Sequence, residues 1–471
     1  MKPARILLLS LCIAFPASAW AGSHIVYVPA PNGIDDTSNI QAGLDACVAY
    51  GKNCTAQLAA GTYLTRQLVE HNFQGSFKGM GQTKTTIQAL PNLLVTLTDP
   101  FIQGECKPDT SNCLWPSLII FVDGNITVSD LTVDEPNVPA TQPWYILGSE
   151  LTYLNDGIRF MGQNRTNASV QRVTATGAFD NSLTSCPDFN FCNAVIFAGE
   201  YPRTQTPFDY YFLSGTFSVY NSSFTTVSLG VGADGFLKDS KVTIGGSPTT
   251  GNVFQNVDFG FAQLAAQNSF EDASYNRASM YAYNSYGEPV TVAPWVSAFA
   301  PSQPSLFLIH DNYLTATGPY ANGIFIQDGS STPWLYAQVY NNTIEAQDVG
   351  GDVISIYSTT GTAIVNNKVS GTGPDAIGIW NGTYAAVLDN DLAAFTANPD
   401  AGLAQIVLDG SLEGLPDTSN STVVCKARGT TVLNLGSNNT IIGCQQVENR
   451  NTQSSKMSLG RKATKKKPLF P

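Results

Sequence analysis

Asp352 and Asp375 open two matching phrases, Asp352-Val-Ile-Ser-Ile and Asp375-Ala-Ile-Gly-Ile, 23 residues apart. Two carboxylates brought within about 5 Å split their pKa values and can act as the acid and nucleophile of a retaining glycosidase. The same pair can offer oxygen ligands to calcium, a hard cation. Asp352 and Asp375 are therefore candidate catalytic residues and a candidate calcium site. Aspartate ahead of a strand is also a common turn former, and Asn322 and Asn193 hold the matching place in related phrases, so a structural role stays open. Side chains alternate along a strand. Ile324, Ile354 and Ile377 then point inward with Ile326, Ile356 and Ile379, while Phe325, Ser355 and Gly378 point outward with Gln327, Tyr357 and Trp380. Tyr357 above Trp380 is expected to be an exposed aromatic strip suited to stacking on sugar rings, with Phe325 and Gln327 as further substrate-binding candidates. The phrase Asp156-Gly-Ile-Arg-Phe puts Arg159 on the same face, as a candidate catalytic cation facing an acidic sugar or as the ion-pair partner of an aspartate.

The elements that must carry these residues are announced by a second repeat. VYNSSF from Val219, FQNVDF from Phe254, IHDNYL from Ile309, VYNNTI from Val339, IVNNKV from Ile364 and VLDNDL from Val387 share an apolar residue, then Asn or Asp two places on, then another apolar residue. Their third positions, Asn221, Asn256, Asp311, Asn341, Asn366 and Asp389, lie 35, 55, 30, 25 and 23 residues apart, with the 55 read as two coils. Periods of this size mean solenoids, propellers or arrays. A coil of 23 to 25 residues leaves room for three short strands and their turns, too few for a propeller blade. The chain therefore reads as all-β, a parallel β-helix. In such a solenoid, equivalent positions stack at about 4.8 Å, so the asparagines are expected to form a ladder at a turn whose left-handed conformation Asn tolerates.

Composition bounds the class of protein. Lys2 and Arg5, the apolar run 6–15 and small Ala19 and Ala21 describe a secretory signal over 1–21, and no later stretch is apolar for long enough to span a bilayer. The remaining eight cysteines fall in four close pairs: Cys47 with Cys54, Cys106 with Cys113, Cys186 with Cys192, and Cys425 with Cys444. In an oxidising compartment this is a disulfide pattern, with neighbours paired because each pair brackets a loop. Residues 22–455 carry 16 basic against 36 acidic residues, a net charge of −20. Such a surface does not suit a nucleic-acid binder, which needs a basic face. The expected organisation is a β-helix over 22–444 and a disordered basic tail over 445–471. The tail's lysines suit attachment to an anionic surface, or simply solvation.

One helix stands apart. Ser38 is expected to cap it with Gln41 completing a capping box, and Ile40, Leu44, Cys47 and Val48 share one face. Asp35-Asp36-Thr37, Ile40-Gln41 and Leu44-Asp45, followed by Leu58-x-x-Gly61-Thr62-Tyr63 and Gly79-x-Gly81-x-x-x-Thr85-x-Ile87, resemble the N-terminal segment of the pectate-lyase-like superfamily. The resemblance covers 33–443. It implies a right-handed parallel β-helix with an N-terminal cap over about 33–90 in which the helix covers the open end, and a polysaccharide as partner. The Asn-Thr-Asp, Gly-His-Gly and Arg-Ile-Lys of polygalacturonases, the Asp-Pro-His-Asp of alginate epimerases and the Arg-x-Pro-x-x-Arg of pectate lyases are not found in the body of this chain. The expected function is polysaccharide lyase or hydrolase chemistry along the outer face of an exported protein, with a non-catalytic carbohydrate-binding or structural solenoid as the rival.

Overall fold

The computed structural model describes residues 24–90, 95–96, 117–134, 151–152, 156–177, 193–198, 213–234, 237–263, 266–282, 287–292, 304–328, 335–398, 404–409 and 416–447. The chain winds as a right-handed parallel β-helix with three strands per coil. One coil consists of Ser305–His310, Tyr313–Thr317 and Ile324–Gln327, and the next of Leu335–Tyr340, Thr343–Gln347 and Ile354–Tyr357. Ala363–Val365, Lys368–Gly373 and Ile377–Trp380 follow in the same order. Each strand pairs in parallel with its counterpart one coil away, so three sheets run along the solenoid.

Apolar periodicity of two, repeated in register, builds the core. On the third sheet a single file runs from Ile119 through Ile158, Val195, Val231, Phe261, Val290, Ile324, Ile354, Ile377 and Ile406 to Val432. The expected inward residues Ile324, Ile354, Ile377, Ile326, Ile356 and Ile379 are all fully buried. Aromatic rings stack along the same interior, with Phe160 5.7 Å from Phe121 and 5.4 Å from Phe197.

The repeated phrase is a corner with two ladders, the expected one at the third position and a buried one at the fourth. Asn221, Asp311, Asn341, Asn366 and Asp389 do adopt the left-handed conformation, with φ between 50° and 56°, and the Asn366 amide donates to Asn341 at 2.8 Å. These side chains are solvent-facing. The buried ladder is the fourth position, running through Asn252, Asn276, Asn312, Asn342, Asn367 and Asn390. Asn342 shows the pattern. Its Oδ1 accepts from the backbone and side-chain amides of Asn312, at 3.1 and 3.0 Å, and its Nδ2 donates to Ile309 O at 2.8 Å and to Asn367 Oδ1 at 2.9 Å. Every polar valence of the carboxamide is thereby used, which is what burial demands. Asn256 is not in this column: FQNVDF turns a different corner, beside Thr226, and the interval of 55 was not two coils of one register.

At the N-terminal end α1 (Thr37–Tyr50) lies over the first coils with Ile40, Leu44 and Cys47 buried. Its cap differs from expectation. The helix starts at Thr37, and the N-cap residue is Asp36, whose carboxylate accepts from the backbone of Asn32 and Leu64 and so ties the helix to the sheet. Gln41 makes no capping box; its amide reaches Asp45, Val69 and Glu70. Cys47–Cys54 and Cys425–Cys444 are disulfides, as expected, while Cys106, Cys113, Cys186 and Cys192 lie outside the described residues. Among the described residues no helix is long and apolar enough to cross a membrane.

Candidate functional site

The third sheet places the sequence candidates side by side. Phe325 pairs with Ser355 and Ser355 with Gly378, while Gln327 pairs with Tyr357 and Tyr357 with Trp380, so the outward register is as expected. Exposure is not. Trp380 is fully buried, packed with Ala404, Val407 and Leu433, and Phe325 is 7% exposed. Phe325, Tyr357 and Trp380 form an aromatic column with ring centroids 5.5 and 6.1 Å apart. Tyr357 and Gln327 are partly exposed. The expected open strip for stacking sugars is thus a covered one, because outward apolar residues of neighbouring coils pack over it.

The carboxylates are also engaged. Asp352 Oδ2 accepts from the Trp380 indole at 2.6 Å and the Ser355 hydroxyl at 2.8 Å. Asp352 and Asp375 are 2% and 0% exposed. Among the described residues no three His, Cys, Asp or Glu side chains converge as metal ligands. A calcium ion at Asp352 and Asp375 would draw the rest of its six to eight oxygens from carbonyls and water. Arg159 is buried, donates Nε to Ser117 Oγ at 3.2 Å, and is not brought to the pair. Six rungs, through Ile196, Gly232, Ala262, Thr291 and Phe325, separate it from Ser355, which is roughly 29 Å at the inter-strand spacing.

A different face offers a recess. On the first sheet, strands Ser214–Tyr220, Lys241–Ile244, Phe270–Ser274 and Ser305–His310 lie in parallel order. The corner after Lys241–Ile244 takes eight residues, 245–252, where VYNNTI takes two. Gly245 and Gly246, at φ 98° and 82°, let the inserted loop turn away from the sheet, and Thr250 and Ser247 bond to each other at 2.7 Å to hold its shape. The loop walls a recess of about 500 Å³ lined by Tyr220, Lys241, Thr243, Gly246, Ser247, Thr250, Phe270 and Asp272. That size lies within the range of small-molecule sites. Lys241 Nζ sits 5.8 Å from the centre of the Phe270 ring.

Asp272 connects the recess to a charged cluster. It accepts from Ser274 Oγ at 2.6 Å and lies 3.3 Å from His310 Nε2. The other ring nitrogen, Nδ1, is 2.7 Å from Asp311. His310 stacks on Tyr340 at 4.5 Å and meets Tyr275 edge-on at 5.8 Å. Burial pushes the imidazole pKa down, but the two carboxylates outweigh it and hold His310 above its ordinary value. Burial pushes Asp272 up, and the hydrogen bonds from His310 and Ser274, with the charges of His310 and Lys241, bring it below the ordinary carboxylate value. Sequence reasoning missed this cluster. A signal was present, because Tyr220, His310 and Tyr340 all hold the second position of the repeated phrase and so share one outward column.

No family model matches the chain, and no curated protein matches it. Among solved structures it is similar to the Dettilon tailspike protein gp208, with 10% identity, 89% of this chain and 68% of that chain covered, and a TM-score of 0.50. It is also similar to the family 28 exopolygalacturonase of Yersinia enterocolitica, with 13% identity, coverage of 90% and 78%, and a TM-score of 0.46. The surface adhesin PfbA of Streptococcus pneumoniae follows, with 13% identity, coverage of 90% and 92%, and a TM-score of 0.40. At such identities the tailspike likeness bears on fold alone, and the two weaker ones carry no argument. The class defined by register and topology is the right-handed parallel β-helix.

Proposed function

We propose that this chain is an exported polysaccharide-binding β-helix protein that seats a sugar unit in the recess beside Phe270. The observation that carries the reading is the lining. Two aromatic faces, Tyr220 and Phe270, stand with the hydroxyls of Thr243, Ser247 and Thr250 and the opposite charges of Lys241 and Asp272. Sugar rings present apolar C–H faces and a dense set of hydroxyls, and this mixture answers both. The two disulfides fit an oxidising compartment, which supports export.

A second reading, cleavage of the bound glycan by lyase or hydrolase chemistry, is favoured by one observation: Asp272 lines the recess and contacts the ring of His310. Proton transfer at a glycosidic oxygen or a ring carbon needs such acid–base groups within reach. Buried Asp352, Asp375 and distant Arg159 are less suited to it.

Retention of the purified protein on immobilised acidic and neutral polysaccharides tests the binding reading. New reducing ends and unsaturated-product absorbance test the second. Tyr220→Ala and Phe270→Ala are expected to lower retention severalfold while the thermal transition stays in place. Retention equal to the parent in both variants sinks the recess as the binding site.

A further inference from the structure

The recess carries its own proton-dependent control. Every group that faces His310 is assignable. Asp272 comes from the preceding coil, Asp311 from its own corner, Tyr340 from the following coil and Tyr275 from the corner before, with Lys241 behind Asp272. As an imidazolium, His310 donates from both nitrogens and satisfies two carboxylates at once. A neutral imidazole carries one N–H and one lone pair. The Nδ1 contact to Asp311, at 2.7 Å, is shorter than the Nε2 contact to Asp272, at 3.3 Å, so the remaining proton stays on Nδ1. The Nε2 lone pair then faces the Asp272 carboxylate.

We propose that His310 is a proton-operated latch on Asp272, and that the recess holds glycan more tightly while His310 is protonated. This rests on the recess as the binding site. With the latch closed, Asp272 is oriented by His310 and Ser274, and its charge is balanced. With the latch open, Asp272 keeps only the Ser274 bond. It then adds a negative charge no longer balanced by His310 to a recess in which Lys241 is the one basic residue among the described lining residues. The carboxyl loses both its orientation for sugar hydroxyls and its compatibility with an anionic sugar.

Two measurements on the full chain test the latch. The chain has only three histidines, His24, His71 and His310, so their ring resonances can be followed individually, with His310→Gln giving the assignment. His310 is expected to titrate above the ordinary histidine value, and Asp272→Asn to shift it down. A His310 titration untouched by Asp272→Asn overturns the latch. The second measurement is retention on immobilised polygalacturonate and xylan between about pH 5 and about pH 8, the span over which histidine titrates. The parent is expected to lose severalfold in retention across the His310 titration, and folded His310→Gln to show a flat profile. Retention that is constant with pH in the parent overturns the latch and leaves the recess reading standing. Retention equal to the parent at every pH in both Tyr220→Ala and Phe270→Ala overturns both.

Discussion

The indole of Trp380 donates to the carboxylate of Asp352 at 2.6 Å, one coil apart and out of reach of solvent. The two residues that most suggested a sugar-binding catalytic strip thus satisfy each other. Gly378, two residues before Trp380 on the same strand and paired with Ser355, makes this possible: a side chain there would collide with the Asp352 carboxylate and the Trp380 ring.

This pairing predicts a structural phenotype. Trp380→Phe keeps the packing and removes the donor, so Asp352 loses one of its hydrogen bonds and the fold is expected to lose about 1–3 kcal/mol. Gly378→Ala is expected to destabilise by a similar or larger amount through overpacking. Urea unfolding measures both. In folded protein, glycan retention is expected to match the parent, and a selective loss of retention in Trp380→Phe would restore the strip as the binding site.

The two adjacent asparagines of IVNNKV should behave differently. Asn367 makes bonds to Val339 O, Asn390 and Asn342 inside the corner. Asn367→Leu strands several buried groups and is expected to cost about 3 kcal/mol or more. Asn366 contributes its left-handed backbone, at φ 52°, and one solvent-facing bond to Asn341, and glycine adopts that conformation without steric strain. Asn366→Gly is therefore expected to stay within about 1 kcal/mol of the parent, since one exposed amide bond is lost. Equal losses in the two variants would show that the column assignment is wrong.

Glu271 points into the coil between Val242 and Phe307, is 1% exposed, and has no hydrogen-bond partner among the described residues. Burial pushes its pKa well above the ordinary value of 4.5. The folded chain keeps the proton that the unfolded chain releases, so stability falls as pH rises above the ordinary carboxylate range. Glu271→Met, similar in length and apolar, is expected to stabilise the fold by about 1–3 kcal/mol at neutral pH and by less at pH near 4. Chemical denaturation at the two pH values reads the difference; a variant less stable than the parent at both would mean that Glu271 has a partner in solution.

Glu70 gives a bounded window. Burial and the neighbouring Asp45 carboxyl raise its pKa from 4.5 to about 8, against weaker opposition from the His71 backbone amide and the Gln41 side chain. Its stabilising contribution is complete below 4.5, declines as pH rises, and is lost by about 8. Glu70→Gln mimics the protonated form. Its thermal midpoint is expected to drop less than the parent's between those limits, by several degrees. Identical pH profiles would exclude a proton held between α1 and the first coils.

The solenoid was legible in local pattern alone. Strand alternation and a coil-length repeat are local properties, and they suffice to put Ile324, Ile354 and Ile377 in one buried file. Register also follows from sequence, which is why the outward positions of Tyr357 and Trp380 were legible. Which outward side chains meet water was not legible. Exposure depends on what packs over a sheet from elsewhere in the chain, and Ala404, Val407 and Leu433 bury Trp380. The choice between Asn366 and Asn367 as the buried ladder likewise turns on corner geometry, because neighbouring residues point opposite ways and composition is the same for both. The His310 cluster needed three dimensions for the same reason. Asp272 and His310 are 38 residues apart in sequence and one rung apart in space, and only the lateral stacking of coils converts the first separation into the second.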